Sequence, residues 1–269
     1  MPGKMVDLGD LKLHIDCRGQ GSPTVILESG LGGSLLDWAR VLPEAAQYTR
    51  VCAYDRAGYG WSEMGMLPRT SQQIASELHA LLRAANVEGP YILVGHSFGG
   101  FSVRLFASRF PEETAALILV DASHEDQFAQ LRDAGLVKRS SRKQRSMSGA
   151  GVPDNLPATV HDIAAELALK AKAILTLQSE IRFFQQSADQ VRWYSNLPNI
   201  PIVVLSRGLG VSNEHTQAKN LETVWRSLQD DLFLRLGSSH LIADGSGHYI
   251  QLDAPKLVVN TIQRLVENR

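Results

Sequence analysis

The sequence predicts an α/β protein built on a mostly parallel, doubly wound sheet of about eight strands, and three observations carry that expectation. Six runs rich in Val, Ile and Leu (TVILESG, RVCAYDRAG, YILVGHS, ALILVDAS, PIVVLSRG and HLIADGSG) are apolar on consecutive positions, as strands covered on both faces must be. Helical patterns over residues 35–47, 71–85, 98–110, 223–234 and 254–267 alternate with them, which is the order of crossover units. At 269 residues with 44% hydrophobic content, the chain can bury one large core.

Taken in order, the first element differs from the rest. Residues 5–18 read as two strands turning at Gly9-Asp10, an antiparallel hairpin for a sheet edge. From residue 123 to 199 no strand pattern occurs and residues 164–184 are strongly helical, so a helical insertion is expected between two strands of the sheet. The predicted division is a core of residues 1–122 and 200–269 with an insertion of residues 123–199. Within the insertion, VKRSSRKQRSMSGAGVPDNLP reads as a solvated loop, and its basic residues Lys138, Arg139, Arg142, Lys143 and Arg145 read as a solvated patch.

Lys and Arg number 27 against 28 Asp and Glu, a formal charge of −1, so no global field draws nucleic acid or an anionic membrane. The N-terminal MPGKMVDLGDLKLHIDCRG has no apolar leader core, and no run reaches the ~18 apolar residues of a membrane helix. A cytoplasmic protein acting on a small molecule is expected, with its oligomeric state left open. Cys17 and Cys52 lie in strand-like segments without CxxC or metal spacing and are expected as reduced, buried thiols.

The chemistry is concentrated at YILVGHSFGGF. Gly95-His96-Ser97-Phe98-Gly99 satisfies G-x-S-x-G between an apolar strand and a helix, where the pattern has a mechanical meaning. The turn is so tight that the serine backbone is strained and only small residues fit two positions either side. Ser97 is then held at the C-terminal edge of the sheet, and the Phe98 peptide N–H points toward an oxyanion formed beside it.

GHSFGG, with ESGLGGSLLDW, YDRAGYGWS and GSGHYIQLDAP in this order, resembles the α/β-hydrolase fold family over nearly the whole chain, and most closely its serine esterase-type members with a helical cap. The resemblance implies ester hydrolysis without a cofactor, with thioester, lactone, amide or carbon–carbon bond hydrolysis and a ligand-sensing role with little turnover as the alternatives; no grouping of histidines and carboxylates has metal spacing. A serine hydroxyl needs a general base near pH 7. Of the eight histidines, His14 falls in the edge hairpin, His79 on a helix, His124 and His161 in the insertion, and His215 and His240 at element starts; the elbow turns His96 away from the Ser97 hydroxyl. His248 follows a strand on Gly245-Ser246-Gly247, at the edge from which a loop histidine reaches the serine, and is assigned as the base. For the second oxyanion donor, the resemblance points to the residue after a His-Gly pair, here Ser29-Gly30, hence the backbone N–H of Leu31.

A carboxylate must fix the base's tautomer, and the chain order Ser, acid, His leaves two positions. Asp121 ends the strand ALILVDAS, as in haloalkane dehalogenase-like relatives; Glu214 lies a few residues after PIVVLSRG. A strand terminus is rigid, which favours Asp121, whose other reading is a cap at the start of the insertion. Gly30, Trp38, His124, Phe128, Phe184 and Trp193 are candidate pocket residues, although aromatic residues at such spacings are more often core. Asp55 and Arg56 in YDRAGYGWS are read as structural, satisfying backbone groups around a turn. GLGGSL lacks the third glycine of a dinucleotide loop and the lysine of a P-loop, so a nucleotide site is not expected.

Overall fold

The computed structural model describes residues 1–136, 152–194, 196–209 and 216–268. Eight strands form one sheet: β1 (Lys4–Asp7), β2 (Lys12–Arg18), β3 (Thr24–Glu28), β4 (Val51–Asp55), β5 (Tyr91–His96), β6 (Thr114–Val120), β7 (Ile202–Arg207) and β8 (Ser239–Ala243). Their spatial order is β1-β2-β4-β3-β5-β6-β7-β8. β1 pairs antiparallel with β2 and β2 with β4, whereas every later pairing is parallel. The edge hairpin and the parallel remainder are those predicted.

The consecutive apolar runs follow from two cores. Ile26, Leu93, Leu117 and Leu119 point to one face, while their neighbours Val25, Leu27, Ile92, Val94 and Ile118 point to the other. The first face is covered by α2 (Ser71–Ala84) and α3 (Gly99–Arg109), the second by α1 (Leu42–Ala45) and α10 (Pro255–Glu267). In α2, Thr70 caps the start by accepting from the Gln73 N–H, and Ile74, Leu78, Leu81 and Leu82 form the buried stripe.

Between β6 and β7 the described residues fold into α4 (Gln127–Asp133), α5 (Ala158–Ala168), α6 (Ala171–Arg182) and α7 (Phe184–Trp193). The helix expected over 164–184 is therefore divided, at Leu169-Lys170 and again at Phe183. Residues 35–47 likewise do not form one helix. A 3₁₀ turn (Leu35–Trp38), capped by the Ser34 side chain, is followed by α1 with Pro43 in its first turn. α8 (Thr216–Leu236) and the short α9 (Ile250–Asp253) complete the fold, α8 beginning before its predicted start. The basic residues 138–145 and Glu214 lie outside the described residues.

One expectation is overturned: Cys17 and Cys52 form a disulfide. The antiparallel β2–β4 register sets Cys17 directly opposite Cys52, with Cα atoms 4.0 Å apart. Nothing local marks a pair separated by 35 residues, because the pairing depends on which strands become neighbours. Disulfides are rare in reducing compartments, so this pairing gives the cytoplasmic expectation no support. No helix among the described residues is long and apolar enough to cross a membrane.

Candidate active site

The strand β5 runs into α3 through Ser97, whose φ is +51°. This left-handed backbone is costly for a residue with a side chain, and the surroundings enforce it. Ser97 N–H donates to the Val120 carbonyl, and the Ser97 carbonyl accepts from Gly100 and Ser123. A Cβ on Gly95 would stand 2.6 Å from Val103 Cγ2, and one on Gly99 2.6 Å from the Ser29 carbonyl oxygen. Both glycines are thus required for space, at the spacing read from the sequence.

Asp121 immediately follows β6, buried, with φ +41°. Its carboxylate accepts from Trp225 Nε1 at 2.9 Å and Arg207 Nη1 at 3.2 Å, and stands 2.6 Å from His248 Nδ1. Burial alone would raise its pKa, but His248, Arg207 and Trp225 outweigh that and hold the carboxyl below its usual value. His248 follows β8 on the predicted small-residue turn, where Gly247 N–H donates to Asp253 Oδ2 at 2.8 Å. Its ring centroid is 4.7 Å from that of His96, the residue before Ser97, and stands edge-on to Trp225.

His96 is turned inward. Its Nε2 lies 3.0 Å from the His248 carbonyl, an acceptor only, so Nε2 carries the proton. Burial, reinforced by the neighbouring His248, lowers its pKa to about 3 and keeps it neutral. The Gly30 loop packs on this elbow: a Cβ on Gly30 would be 2.9 Å from His96 Nδ1 and 3.1 Å from Ser97 Cβ.

That loop is a tight turn closed by Gly33 N–H donating to Gly30 O at 3.1 Å, with Gly32 at φ +72°. Ser29 braces this loop through its side chain. Its hydroxyl donates to Ser34 O at 2.7 Å and accepts from Trp38 Nε1 at 3.0 Å. Arg56 donates to the Ser29 and Gly30 carbonyls, and Asp55 accepts from the Leu35 and Trp61 N–H groups. Both residues satisfy backbone groups, as read from the sequence.

Trp38 is fully buried behind the loop. Phe184 is buried against Phe98, Phe101 and Phe128, with ring centroids 4.7 to 5.5 Å apart, directly beside the elbow. His124 is buried, its Nε2 2.9 Å from Asp231 and its Nδ1 accepting from the Asp126 N–H at 3.0 Å. Trp193 is 84% exposed at the end of α7. The ligand atoms of His124, Asp126 and Asp231 lie within 4.8 Å of one another, but Arg192 and Arg235 already engage the two carboxylates. A cavity of about 10 Å³, the space of one water, lies between the loop (Gly32, Ser34, Asp37) and α5 (Ala164, Leu167). None of Ser97, Asp121 and His248 lines it, so it is not read as the reaction chamber. Burial, opposed by the Ser34 backbone hydrogen bond, pushes the Asp37 carboxyl up to about 7.

Sequence reasoning missed Arg207 and Trp225. They reach Asp121 from 86 and 104 residues away, and their only signal was position at the end of β7 and in the helix after it.

The family model for the alpha/beta hydrolase fold matches residues 23–261, and the chain belongs to that family. It is 26% identical over 242 residues to the uncharacterized protein YqjL of Bacillus subtilis, covering 90% of this chain and 82% of that one. Among solved structures, the enol-lactonase from Burkholderia xenovorans superposes with TM-score 0.69 at 16% identity, covering 98% and 99% of the two chains. Epoxide hydrolase VrEH1 from Vigna radiata superposes with TM-score 0.73 at 16% identity, covering 99% and 97%. At such identities the likeness is one of fold.

Proposed function

We propose that the protein is a serine hydrolase that cleaves small carboxylic esters through an acyl-enzyme, with Ser97 as nucleophile, His248 as general base and Asp121 as the orienting acid. The observation that carries this reading is the 2.6 Å contact between His248 Nδ1 and Asp121. It assigns the Nδ1 proton to the aspartate side and leaves Nε2 with the lone pair that accepts the serine proton.

His248 Nε2 removes the Ser97 proton as Oγ attacks the ester carbonyl. Negative charge then develops on the carbonyl oxygen, and the N–H groups of Leu31 and Phe98 stabilise it. The imidazolium, held by the buried Asp121 carboxylate, returns the proton to the leaving alcohol. Water, deprotonated by the same nitrogen, releases the acid and restores the serine. Epoxide hydrolases share the fold, but the resemblance implies an aspartate nucleophile for them, and serine at the elbow supports acyl transfer instead. The described helices between β6 and β7 act as a cap over the site, with Phe184 and Phe128 on its inner side.

The test is a p-nitrophenyl ester panel from acetyl to palmitoyl, run beside Ser97→Ala. Turnover in the wild type that is lost in Ser97→Ala supports the reading, and an optimum chain length measures the space under the cap. Equal rates in both proteins contradict it.

A further inference from the structure

Arg56 is a buried guanidinium with each of its five N–H donors matched to a different contact. Nε and Nη2 grip Glu180 at 3.1 and 3.2 Å, Nη1 meets Glu28 at 2.8 Å, and the two remaining N–H groups donate to Ser29 O at 2.6 Å and Gly30 O at 2.7 Å. Arg56, Glu28 and Glu180 are all at most 3% exposed. Tyr59 donates to Glu180 at 2.7 Å, and Tyr54 donates to Glu28. Two carboxylates flank one cation, so the cluster does more than neutralise a charge.

The Gly30 carbonyl and the Leu31 N–H belong to the same peptide unit. A trans peptide is planar with its C=O and N–H pointing oppositely, so fixing the oxygen fixes the direction of the N–H. A hydrogen bond from a cation to the oxygen also polarises the unit and strengthens its N–H as a donor. The same holds one residue earlier, where the Ser29 carbonyl bond orients the Gly30 N–H. Glu180, which aims the guanidinium, sits on α6, in the segment inserted between β6 and β7.

Resting on the serine-hydrolase reading above, we propose that Arg56 is a positioning residue for the Leu31 oxyanion donor and that α6 sets it through Glu180, so that a fully formed oxyanion hole requires a docked cap. Lysine cannot replace Arg56, because one ammonium has three donors and no planar fork.

The test uses Glu180→Gln and Arg56→Lys in the full-length protein, with Arg104→Lys as a control. Arg104 forms another buried pair, with Glu125, that does not touch the loop. Turnover of p-nitrophenyl butyrate and inhibition by butylboronic acid, which forms a tetrahedral serine adduct, are measured beside thermal unfolding. In both test variants kcat is expected to fall about tenfold to a hundredfold with KM within about twofold, and boronate affinity to fall by the same factor. Arg104→Lys is expected to lower the unfolding temperature and leave kcat and boronate affinity unchanged. Glu180→Gln keeps the side-chain volume and decides the matter if Arg56→Lys does not fold. A folded Glu180→Gln with wild-type kcat and boronate affinity overturns the proposal. A wild type that neither turns over the ester nor binds the boronate overturns the hydrolase reading itself, and is recognised before any variant is made.

Discussion

His248 Nδ1 stands 2.6 Å from Asp121 Oδ2, joining the turn after β8 to the end of β6 across 127 residues of sequence. Asp121 is itself fixed by Trp225, by Arg207 and by its own N–H, which donates to Leu205 O at 2.7 Å. The Asp121 carboxylate is therefore placed by two strands and a helix, and it in turn holds the His248 ring.

Asp121→Asn keeps the shape but lets the amide donate where a carboxylate accepted. The wrong tautomer of His248 results, and kcat on p-nitrophenyl butyrate is expected to fall by about 10⁴-fold. An unchanged kcat in a folded Asp121→Asn protein would move the acid to Glu214.

Gly99→Ala places a methyl 2.6 Å from the Ser29 carbonyl and 2.8 Å from that of Glu28, both backbone atoms that cannot rotate aside. The expected cost is about 1–3 kcal/mol, read by urea unfolding, together with loss of turnover as the Gly30 loop is displaced. Gly9→Ala meets no atom within 4 Å and carries only the strain of its φ of +98°, so it leaves turnover unchanged.

His96 and Asp37 give stability opposite pH slopes. Folded His96 binds its proton only near pH 3, whereas an unfolded histidine does so near ~6.5. Its contribution is complete above ~6.5 and is lost as pH falls toward 3, by at most ~1.4 kcal/mol per pH unit. Asp37 is pushed up to about 7 from an unfolded value near ~3.9, so its protonated form favours the fold below ~3.9 and stability is lost as pH rises toward 7. Urea unfolding between pH 4 and 6.5 should show His96→Gln weakening the acid-side decline and Asp37→Asn removing the opposing slope. Parallel curves for all three proteins would contradict both assignments.

The Cys17–Cys52 bond joins positions 35 apart in the sequence. Cys17→Ser with Cys52→Ser should cost about 2–4 kcal/mol without affecting turnover, since neither residue touches the site. Maleimide labelling of denatured, unreduced protein should find no free thiol; two labels per chain would restore the reduced pair expected from the sequence.

How legible the protein was from its residues depended on how locally each feature is encoded. Gly95 and Gly99 could be read because the steric demand on them comes from within the same turn and the loop beside it. The parallel strands could be read because burial on two faces leaves no polar alternation. Residues 35–47 were misjudged because their helical spacing hid the break after Trp38 and the restart at Leu42-Pro43. The disulfide, and the hold of Arg207 and Trp225 on Asp121, follow from strand order, which no single segment specifies. Arg56 was read as bracing backbone, but its link to Glu180 depends on where α6 comes to rest.

The proposed chemistry requires the hydroxyl at the elbow to be an activated nucleophile. Incubation with a fluorophosphonate, followed by intact-mass measurement and peptide mapping, tests this directly. One adduct per chain on the peptide containing Ser97, absent in Ser97→Ala and strongly slowed in His248→Ala, is the result expected. An unmodified Ser97 in folded protein, or an adduct carried by another residue, would contradict the account.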